Sequence, residues 1–590
     1  MSSSLYSSLA WLPPAPADFK ARCRAAATPA ELRALAGFSL DENQLNSLAK
    51  AVERVRSAGT DLKPLSAFRL GLISNATSHF AVPALIASAL RHGIALECIE
   101  AEYDQGMQEA LDPASAINAF KPDAVLLAFD YRGLPLRVVT GDGAAAQQVV
   151  SGALAHLQRI RDGIHANSGA LCILQTLPRP AETVFGSLDP VVPGTLRALI
   201  DAVNRGIGES LAGTPDLLFD VAALAETVGL ADWHDPTVWN IAKLPFAGAQ
   251  LPLYAEQVCR IVAALRGKSR KALVLDLDNT LWGGVIGDDG LEGIVLGQGD
   301  GTGEAHLHVQ RVALTLRDRG VVLAVSSKNE DATARLPFQK HPEMLLREEH
   351  IAVFQANWND KAANLKAIAK ELNIGTDALV FLDDNPAERT LVRQMLPEVA
   401  VPELPEDPAL YARTLLAAGY FEAITYSAED RARADFYRDN AQRVALQQQA
   451  GGDIEAYLAS LQMTLTLAPF DAIGRARIAQ LINKSNQYNL TTRRYTEAEV
   501  ERMESDPACY TLQARLADSF GDNGMISVVI ARRAGDDWEL DTWLMSCRVL
   551  QRRVEHAILA QLVSAARARG IKRLLGTWLP TEKNMMVQDH

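Results

Sequence analysis

At 590 residues the chain is too long for a single hydrophobic core, and its 48% hydrophobic content can build three or four domains. A formal net charge of −13 argues against nucleic acid as the main partner. The sequence shows no basic N-terminal signal, no apolar run that could cross a bilayer, and six scattered cysteines without a Cys-x-x-Cys pair. We therefore expect a multidomain protein of the reducing cytoplasm that binds neither nucleic acid nor membrane.

Residues 1–65 are predicted to be helical, and strands alternate with helices from residue 66 to residue 266. Apolar runs in this second stretch predict the strands of a parallel α/β sheet. They are Arg69–Ser74, Ala95–Ala101, Ala124–Phe129, Ala170–Thr176 and Leu217–Asp220. A short polar linker after residue 266 leads into the next α/β pattern.

The run Lys271–Leu275 predicts a strand that ends in two carboxylates, Asp276 and Asp278, followed by the hydroxyl of Thr280. Alternation along the chain puts both carboxylates on the same side as the chain leaves the sheet. Two acids crowded in this way repel each other, and Mg²⁺, which prefers hard oxygen ligands, is the usual ion that holds them. One carboxylate can then attack phosphorus while the other handles the proton.

Two later strands supply the other groups that a phosphoryl-transfer site needs. One ends in Ser326 and Ser327, followed by Asn329, which supply a hydroxyl and a nearby amide to hold a phosphate oxygen. The other ends in Asp383 and Asp384, which can complete the metal site. Between them, Lys361 opens a helical stretch with a cation that can neutralise developing negative charge. Because open α/β sheets bind ligands at the carboxyl ends of their strands, we expect these groups to meet there.

The segments between these motifs are too short to hold a separate lid domain. An uncapped site cannot easily exclude water by itself. We therefore expect another domain or a macromolecular partner to cover it, which argues against a plain small-metabolite phosphatase.

This order of motifs resembles the haloacid dehalogenase (HAD) phosphohydrolase superfamily, and residues 276–290 resemble its FkbH-like subfamily in particular. The resemblance implies a capless HAD Rossmannoid domain at residues 267–400, with Asp276 as the nucleophile that forms an aspartyl-phosphate and Asp278 as the general acid/base. The implied metal ligands are Asp276, Asp278, Asp383 and Asp384. The implied phosphate-binding residues are Thr280, Ser326, Ser327 and Lys361.

The same resemblance implies an SGNH-like, or flavodoxin-like, α/β domain at residues 66–266. An SGNH esterase would carry Gly-Asp-Ser after its first strand and Asp-x-x-His near its end. Here the first loop lacks that motif, and Asp232 does not stand three residues before His234. We therefore predict a non-catalytic domain in which Asn75, Thr77 and His234 are structural or ligand-binding groups.

Residues 401–452 are predicted to form a helical connector, and residues 453–590 resemble a GNAT-like α+β acyltransferase domain. Its predicted elements are strand Met463–Ala468, helices Ile473–Asn486 and Glu497–Ser505, strands Tyr510–Ala517, Met525–Arg532 and Trp538–Met545, helix Val554–Arg569 and strand Arg573–Trp578. A complete fold of this type would usually add a further strand, so we expect the domain to be truncated at its C-terminus. The turn that would cradle coenzyme A pyrophosphate has no glycine, which favours an acyl-carrier protein as partner over acetyl-CoA.

Cys547 lies at the end of a predicted strand, directly before Arg548 and the N-terminus of a predicted helix. Both features lower a thiol pKa, so this cysteine is a candidate to accept an acyl group as a thioester. His556 on the following helix is a candidate base. Arg548, Arg552 and Arg553 are candidates to dock an acidic carrier protein, and a solvated helix face is the alternative interpretation of these arginines.

The FkbH-like resemblance implies a bifunctional glyceryl transferase/phosphatase of polyketide-type biosynthesis. Such an enzyme takes 1,3-bisphosphoglycerate, captures the acyl group on Cys547, hydrolyses the remaining phosphate at the Asp276 site and loads an acyl-carrier protein. One alternative is a stand-alone Mg²⁺-dependent phosphatase whose C-terminal domain only binds, so that Cys547 is dispensable. The other is a non-catalytic multidomain scaffold, in which replacing Asp276 has no measurable effect.

Overall fold

The computed structural model describes residues 2–426, 443, 454–485, 488–546, 549–550, 552–581 and 584–588. The chain divides into two compact units, Met1–Ala264 and Leu265–His590. Among the helices within the described ranges, none combines the length and the apolar character that crossing a bilayer would require. Residues 427–442 and 444–452 of the connector predicted at 401–452 fall outside the described residues.

The first unit begins with helices α1 (Ser2–Ser7), α2 (Phe19–Ala25), α3 (Pro29–Ala36) and α4 (Glu42–Ser57). Two of them begin with a capping box, in which side chains accept hydrogen bonds from the free backbone amides of the first turn. Thr28 and Glu31 do this for α3, and Asp41 and Gln44 for α4. Local sequence therefore fixes where these helices begin.

A parallel sheet forms the rest of this unit. Its strands are β1 (Ser66–Ser74), β2 (Ile94–Glu100), β3 (Ala124–Ala128), β4 (Leu171–Gln175) and β5 (Leu217–Phe219), in the order β2-β1-β3-β4-β5. The helices are α5 (Ala81–Arg91), α6 (Gly106–Leu111), α7 (Ala116–Phe120), α8 (Gly143–Asn167), α9 (Leu196–Ser210), α10 (Val221–Val228), α11 (Leu230–Trp233), α12 (Pro236–Ala242) and α13 (Leu251–Leu265). This is the flavodoxin-like strand order, so the predicted α/β class is confirmed.

The second unit begins with another parallel sheet. Its strands are β6 (Ala272–Leu275), β7 (Val322–Ser327), β8 (Ile351–Ala356) and β9 (Leu379–Leu382), in the order β8-β7-β6-β9. Helices α14 (Ile286–Gly293), α15 (Gly301–Asp318), α16 (Asp331–Lys340), α17 (Lys361–Glu371), α18 (Pro386–Met395) and α19 (Tyr411–Ala417) accompany it. Successive apolar residues of β6, β7 and β9 alternate between two hydrophobic cores, so the sheet is covered on both faces. Its carboxyl edge carries the motif residues.

The C-terminal part contains helices α20 (Ile454–Ser460), α21 (Arg475–Lys484), α22 (Glu497–Ser505) and α23 (Val554–Ala568). Its strands are β10 (Thr464–Ala468), β11 (Tyr488–Asn489), β12 (Cys509–Asp518), β13 (Gly521–Ala534), β14 (Asp537–Met545) and β15 (Arg573–Gly576). Strands β10, β12, β13 and β14 pair antiparallel in that order, and β15 returns through α23 to pair parallel with β14. This order agrees with the predicted GNAT-like α+β class. Strand β11 was not predicted because a two-residue strand carries no hydrophobic period.

Candidate active site

Lys361, the first residue of α17, is the cation at the centre of the predicted phosphoryl-transfer site. Its ammonium contacts the Asp276 carboxylate, donates to the carbonyl oxygen of Ser326 at 2.7 Å and lies 3.3 Å from Oδ2 of Asp383. Burial favours the neutral amine, but the two carboxylates outweigh it and raise the pKa of Lys361. The lysine is therefore a fixed positive charge beside Asp276, at only 2% exposure.

Three carboxylates converge beside this lysine. Oxygen atoms of Asp276, Asp383 and Asp384 lie within 4.8 Å of one another. Burial raises the pKa of all three, that of Asp276 to about 7, and the charge of Asp383 adds to the effect on Asp276. Oδ2 of Asp383 is buried and accepts no hydrogen bond of good geometry from the described residues. A hard divalent cation such as Mg²⁺ fits this set, since it would satisfy the buried oxygen and offset the crowded charge.

Asp278 lies outside this carboxylate group, and metal binding by its side chain stays a prediction. Its Oδ1 accepts from Trp282 Nε1 at 3.0 Å and from the Ile286 amide at 2.9 Å, and its Oδ2 accepts from Asn329 Nδ2 at 2.7 Å. The alternation that predicted one shared side applies only within the strand, which ends at Leu275. The three donors leave Asp278 fixed in position, as a group that handles a proton must be.

Asn329, the amide that the sequence predicts beside the strand-ending serines, also contacts Asp278, which the sequence does not reveal. Its amide nitrogen donates both to Asp278 and, at 3.0 Å, to Oγ of Ser327, and the residue is 4% exposed. These two hydrogen bonds connect the end of β7 to the loop after β6, which carries Asp278.

The predicted phosphate-binding hydroxyls have different surroundings. Thr280 Oγ1 donates to Oδ1 of Asp384 at 3.1 Å and accepts from the Asp384 amide at 3.2 Å, so this hydroxyl positions the Asp384 loop instead of standing open to phosphate. Ser327 Oγ is engaged with Asn329. Ser326 Oγ is buried without a hydrogen-bond partner in the described structure.

Arg389 is a residue of the site region that the sequence analysis missed. Its Nη1 donates to the carbonyl oxygens of Asp383 and Asp384 at 2.9 and 2.6 Å, and its Nη2 donates to Glu403 at 2.9 Å. The guanidinium therefore clamps the loop after β9. Its position within an amphipathic helix gave no signal of this contact.

The second predicted centre is described only in part, because Cys547 and Arg548 lie outside the described residues. The burial of Arg552 contradicts the prediction that this residue docks a carrier protein. Its side chain is 5% exposed, and its Nη1 pairs with Oδ2 of Asp518 at 3.0 Å. A buried guanidinium that is held by a carboxylate cannot form part of an exposed docking face.

Arg553 and His556 do face solvent. Arg553 is more than half exposed and pairs with Glu455 at 3.0 Å, and His556 is 69% exposed with its Nδ1 3.4 Å from Oε1 of Glu555. Of the three arginines predicted to dock a carrier protein, Arg553 is therefore the one that the described structure shows exposed.

In the first unit, the predicted site residues make hydrogen bonds between loops. Asn75 and Asp130 exchange two hydrogen bonds of 2.9 Å, and Thr77 Oγ1 donates to the carbonyl of Ala242 at 2.7 Å. His234 Nε2 lies 2.9 Å from the carbonyl oxygen of Arg179. These contacts favour the structural interpretation of the three residues.

Comparisons with known proteins agree with this geometry. Residues 69–263 match the family model described as FkbH, N-terminal domain. The crystal structure of the N-terminal part of BF1531 from Bacteroides fragilis, which contains a phosphatase domain complexed with Mg, matches at 31% identity and a TM-score of 0.59, covering 66% of this chain and 100% of that one. The chain belongs to the FkbH-like family of HAD phosphatases.

Two acetyltransferase structures match this FkbH-like chain far more weakly. The ribosomal-protein-S18-alanine N-acetyltransferase of Escherichia coli matches at 13% identity and a TM-score of 0.16, over 19% of this chain and 64% of that one. The glucosamine N-acetyltransferase region of a fungal β-N-acetylglucosaminidase matches at 11% identity and a TM-score of 0.15, over 97% and 66%. Scores this low support no functional argument. Among curated proteins, the comparison gives no match.

Proposed function

We propose that this FkbH-like protein is a bifunctional, Mg²⁺-dependent glyceryl transferase/phosphatase. It takes 1,3-bisphosphoglycerate, removes phosphate at the Asp276 site and loads a glyceryl unit onto an acyl-carrier protein for polyketide-type biosynthesis. The observation that carries the proposal is the convergence of Asp276, Asp383 and Asp384 around the buried Lys361. Family membership supports the phosphatase half, and the FkbH-like resemblance around Cys547 supports the transferase half.

In the phosphatase step, a carboxylate oxygen of Asp276 attacks phosphorus and the bond from phosphorus to the C3 oxygen breaks. Asp278 gives its proton to the leaving oxygen and then takes one from the water that hydrolyses the aspartyl-phosphate. Lys361 neutralises charge on the transferring group. Mg²⁺, held by Asp276, Asp383 and Asp384, supplies further charge neutralisation when bound.

In the transferase step, the thiolate of Cys547 attacks the acyl-phosphate carbonyl. A carbon–sulfur bond forms, the carbon–oxygen bond to phosphate breaks, and inorganic phosphate leaves. The phosphopantetheine thiol of the carrier then accepts the acyl group from Cys547. A free Cys547 thiol requires a reducing compartment, in keeping with the cytoplasmic location that the sequence predicts.

The phosphatase half is tested by measuring phosphate release from the C3 ester of 3-phosphoglycerate and of 1,3-bisphosphoglycerate. We expect the full chain with Mg²⁺ to release this phosphate and Asp276→Asn to lose the activity by about 10³-fold or more. The matched control is Asp288→Asn, which removes an exposed carboxylate from the neighbouring helix α14. Release that is unaffected by Asp276→Asn would overturn the assignment of this site.

A further inference from the structure

Lys328 is a partly exposed cation beside the carboxylate site that the phosphatase step does not use. It follows Ser327, the last residue of β7, and precedes Asn329, which donates to Oδ2 of Asp278 at 2.7 Å. Ser327 and Asn329 are 1% and 4% exposed, whereas 40% of the Lys328 side chain is exposed. Lys328 therefore stands on the solvent side, between two buried residues of the site.

Glu388, in the first turn of α18, holds this lysine. Its Oε1 pairs with Nζ of Lys328, and 16% of its side chain is exposed. Its Oε2 is buried and has no hydrogen-bond partner among the described residues. The next residue, Arg389, donates to the carbonyl oxygens of Asp383 and Asp384. The ion pair is thus connected to the site through the chain at both of its ends.

The ion pair joins loops on the two sides of β6. The sheet order β8-β7-β6-β9 places β6 between the strand that Lys328 follows and the strand that precedes α18. Asp276, the residue directly after β6, is therefore flanked by the two segments that the ion pair connects. An ammonium in this place can contact the part of a substrate that lies beyond the phosphate attacked by Asp276.

The loops at this sheet edge carry one Lys or Arg, which is Lys328. They are residues 276–285, 328–330, 357–360 and 383–385, all of them described. The first turns of the helices that follow add Lys361 and Arg389, which are 2% and 4% exposed. Lys361 contacts two carboxylates, and Arg389 donates to the loop after β9. Within these segments, Lys328 is therefore the cation that can meet a second anionic group of a substrate.

We propose that Lys328 is a specificity residue of the Asp276 site, which binds a second anion, a carboxylate or an acyl phosphate, at the far end of a phosphate monoester. The inference rests on the proposed phosphatase function and names the class of ester that the site selects. A lysine ammonium has three N–H donors, so Lys328 can keep Glu388 as its partner and still donate to the substrate. Such a charge-assisted hydrogen bond favours an ester with two anionic groups over one whose far end is neutral.

The test compares two esters that differ at one carbon. 3-Phosphoglycerate carries a carboxylate at C1, where glycerol 3-phosphate carries a neutral hydroxyl group. We expect the full chain with Mg²⁺ to prefer 3-phosphoglycerate. Lys328→Gln should raise KM for this ester by about 10-fold or more, with little change in kcat and no change for glycerol 3-phosphate. Lys328→Arg, which keeps the charge, should retain the preference.

The matched control is Lys370→Gln, which changes an exposed lysine in the last turn of α17 and should behave as the wild type with both esters. Binding without turnover gives a second readout. In the Asp276→Asn background, calorimetry should show that Lys328→Gln weakens the binding of 3-phosphoglycerate by a similar factor and leaves that of glycerol 3-phosphate unchanged. An ion pair with a purely structural role would affect both esters alike.

The outcomes separate this inference from the function on which it rests. A wild type that does not distinguish the two esters would overturn the inference alone, as would a Lys328→Gln effect that is absent or equal for both. Release of phosphate from neither ester by the wild type would overturn the proposed phosphatase function and this inference with it.

Discussion

Asp276 and Asp278 are two residues apart, yet their carboxylates have different neighbours. Asp276 contacts the ammonium of Lys361, whereas Asp278 accepts from Trp282, Ile286 and Asn329. The first arrangement suits a nucleophile beside a cation, and the second suits an acid whose orientation must stay fixed through a proton transfer. Asn329 is the side chain that links this orientation to β7 through Ser327.

Replacing Asn329 should therefore impair catalysis more than folding. We expect Asn329→Ala to lower kcat for phosphate release by about 100-fold, the lower end of what a positioned acid/base contributes. Steady-state kinetics on the full chain measure this. The control is Asn359→Ala, which alters an exposed amide in the loop before Lys361. Turnover that is equal in both variants would show that Asp278 does not depend on Asn329.

Asp384 allows a test of the crowded charge itself. Burial and the charge of Asp276 raise its folded pKa, so its ionised form lowers the stability of the metal-free protein at pH values above the unfolded pKa of about 4. We expect Asp384→Asn to melt at a higher temperature than the wild type in chelator at pH 8, with the difference shrinking towards pH 4. Thermal denaturation across this pH range measures the effect. A difference independent of pH would show that ionisation of Asp384 is not its cause.

At the scale of elements, strand ends were the predictable part of the site. The apolar runs ending at Leu275, Ser327 and Leu382 become β6, β7 and β9, and the polar residues that end or follow them meet at one sheet edge. The contact of Arg389 with the loop after β9 could not be predicted from the sequence. A helix pattern indicates on which face an arginine lies but not which carbonyl oxygen its side chain reaches. The prediction that Arg552 docks a carrier protein was wrong because a basic residue near a helix end gives no sign, in the sequence, of a buried partner such as Asp518.

The loops after β6 and β9 make metal binding depend on pH. The pKa values of Asp276, Asp383 and Asp384 are all raised, so protons compete with Mg²⁺ up to neutral pH. We expect Mg²⁺ to raise the melting temperature more at pH 8 than at pH 6 and to release protons on binding. Calorimetry in buffers of different ionisation enthalpy measures the release. Asp383→Asn is the control that should lose the effect, and equal Mg²⁺ stabilisation at both pH values would contradict it.

At the scale of the whole molecule, the proposed function places two reactions on one chain. The phosphatase domain is supported by both its geometry and its family, and the predicted α/β and α+β classes are confirmed by the strand orders. The transferase half depends on Cys547, which is known here from the sequence and lies outside the described residues. His556, the candidate base that the sequence predicts, is 69% exposed, a property that belongs to the folded chain.

If the two centres work on the same acyl group, removing one should trap what the other makes. Asp276→Asn should still capture the acyl group on Cys547 but retain its phosphate, because the thioester step does not use the carboxylate site. Cys547→Ala should still hydrolyse the phosphate of 3-phosphoglycerate, because the phosphatase step does not use the thiol. Phosphate assays and intact-protein masses of the two variants measure both effects, and simultaneous loss of both activities in either variant would contradict this separation.

The most direct test of two cooperating centres is intact-protein mass spectrometry of the full chain after mixing with Mg²⁺ and 1,3-bisphosphoglycerate, beside Cys547→Ala and Asp276→Asn. We predict a glyceryl-sized adduct on the wild type, a phosphoglyceryl-sized adduct on Asp276→Asn and none on Cys547→Ala. An adduct that persists on Cys547→Ala, or a wild type that releases phosphate without acquiring any adduct, would contradict the proposed function.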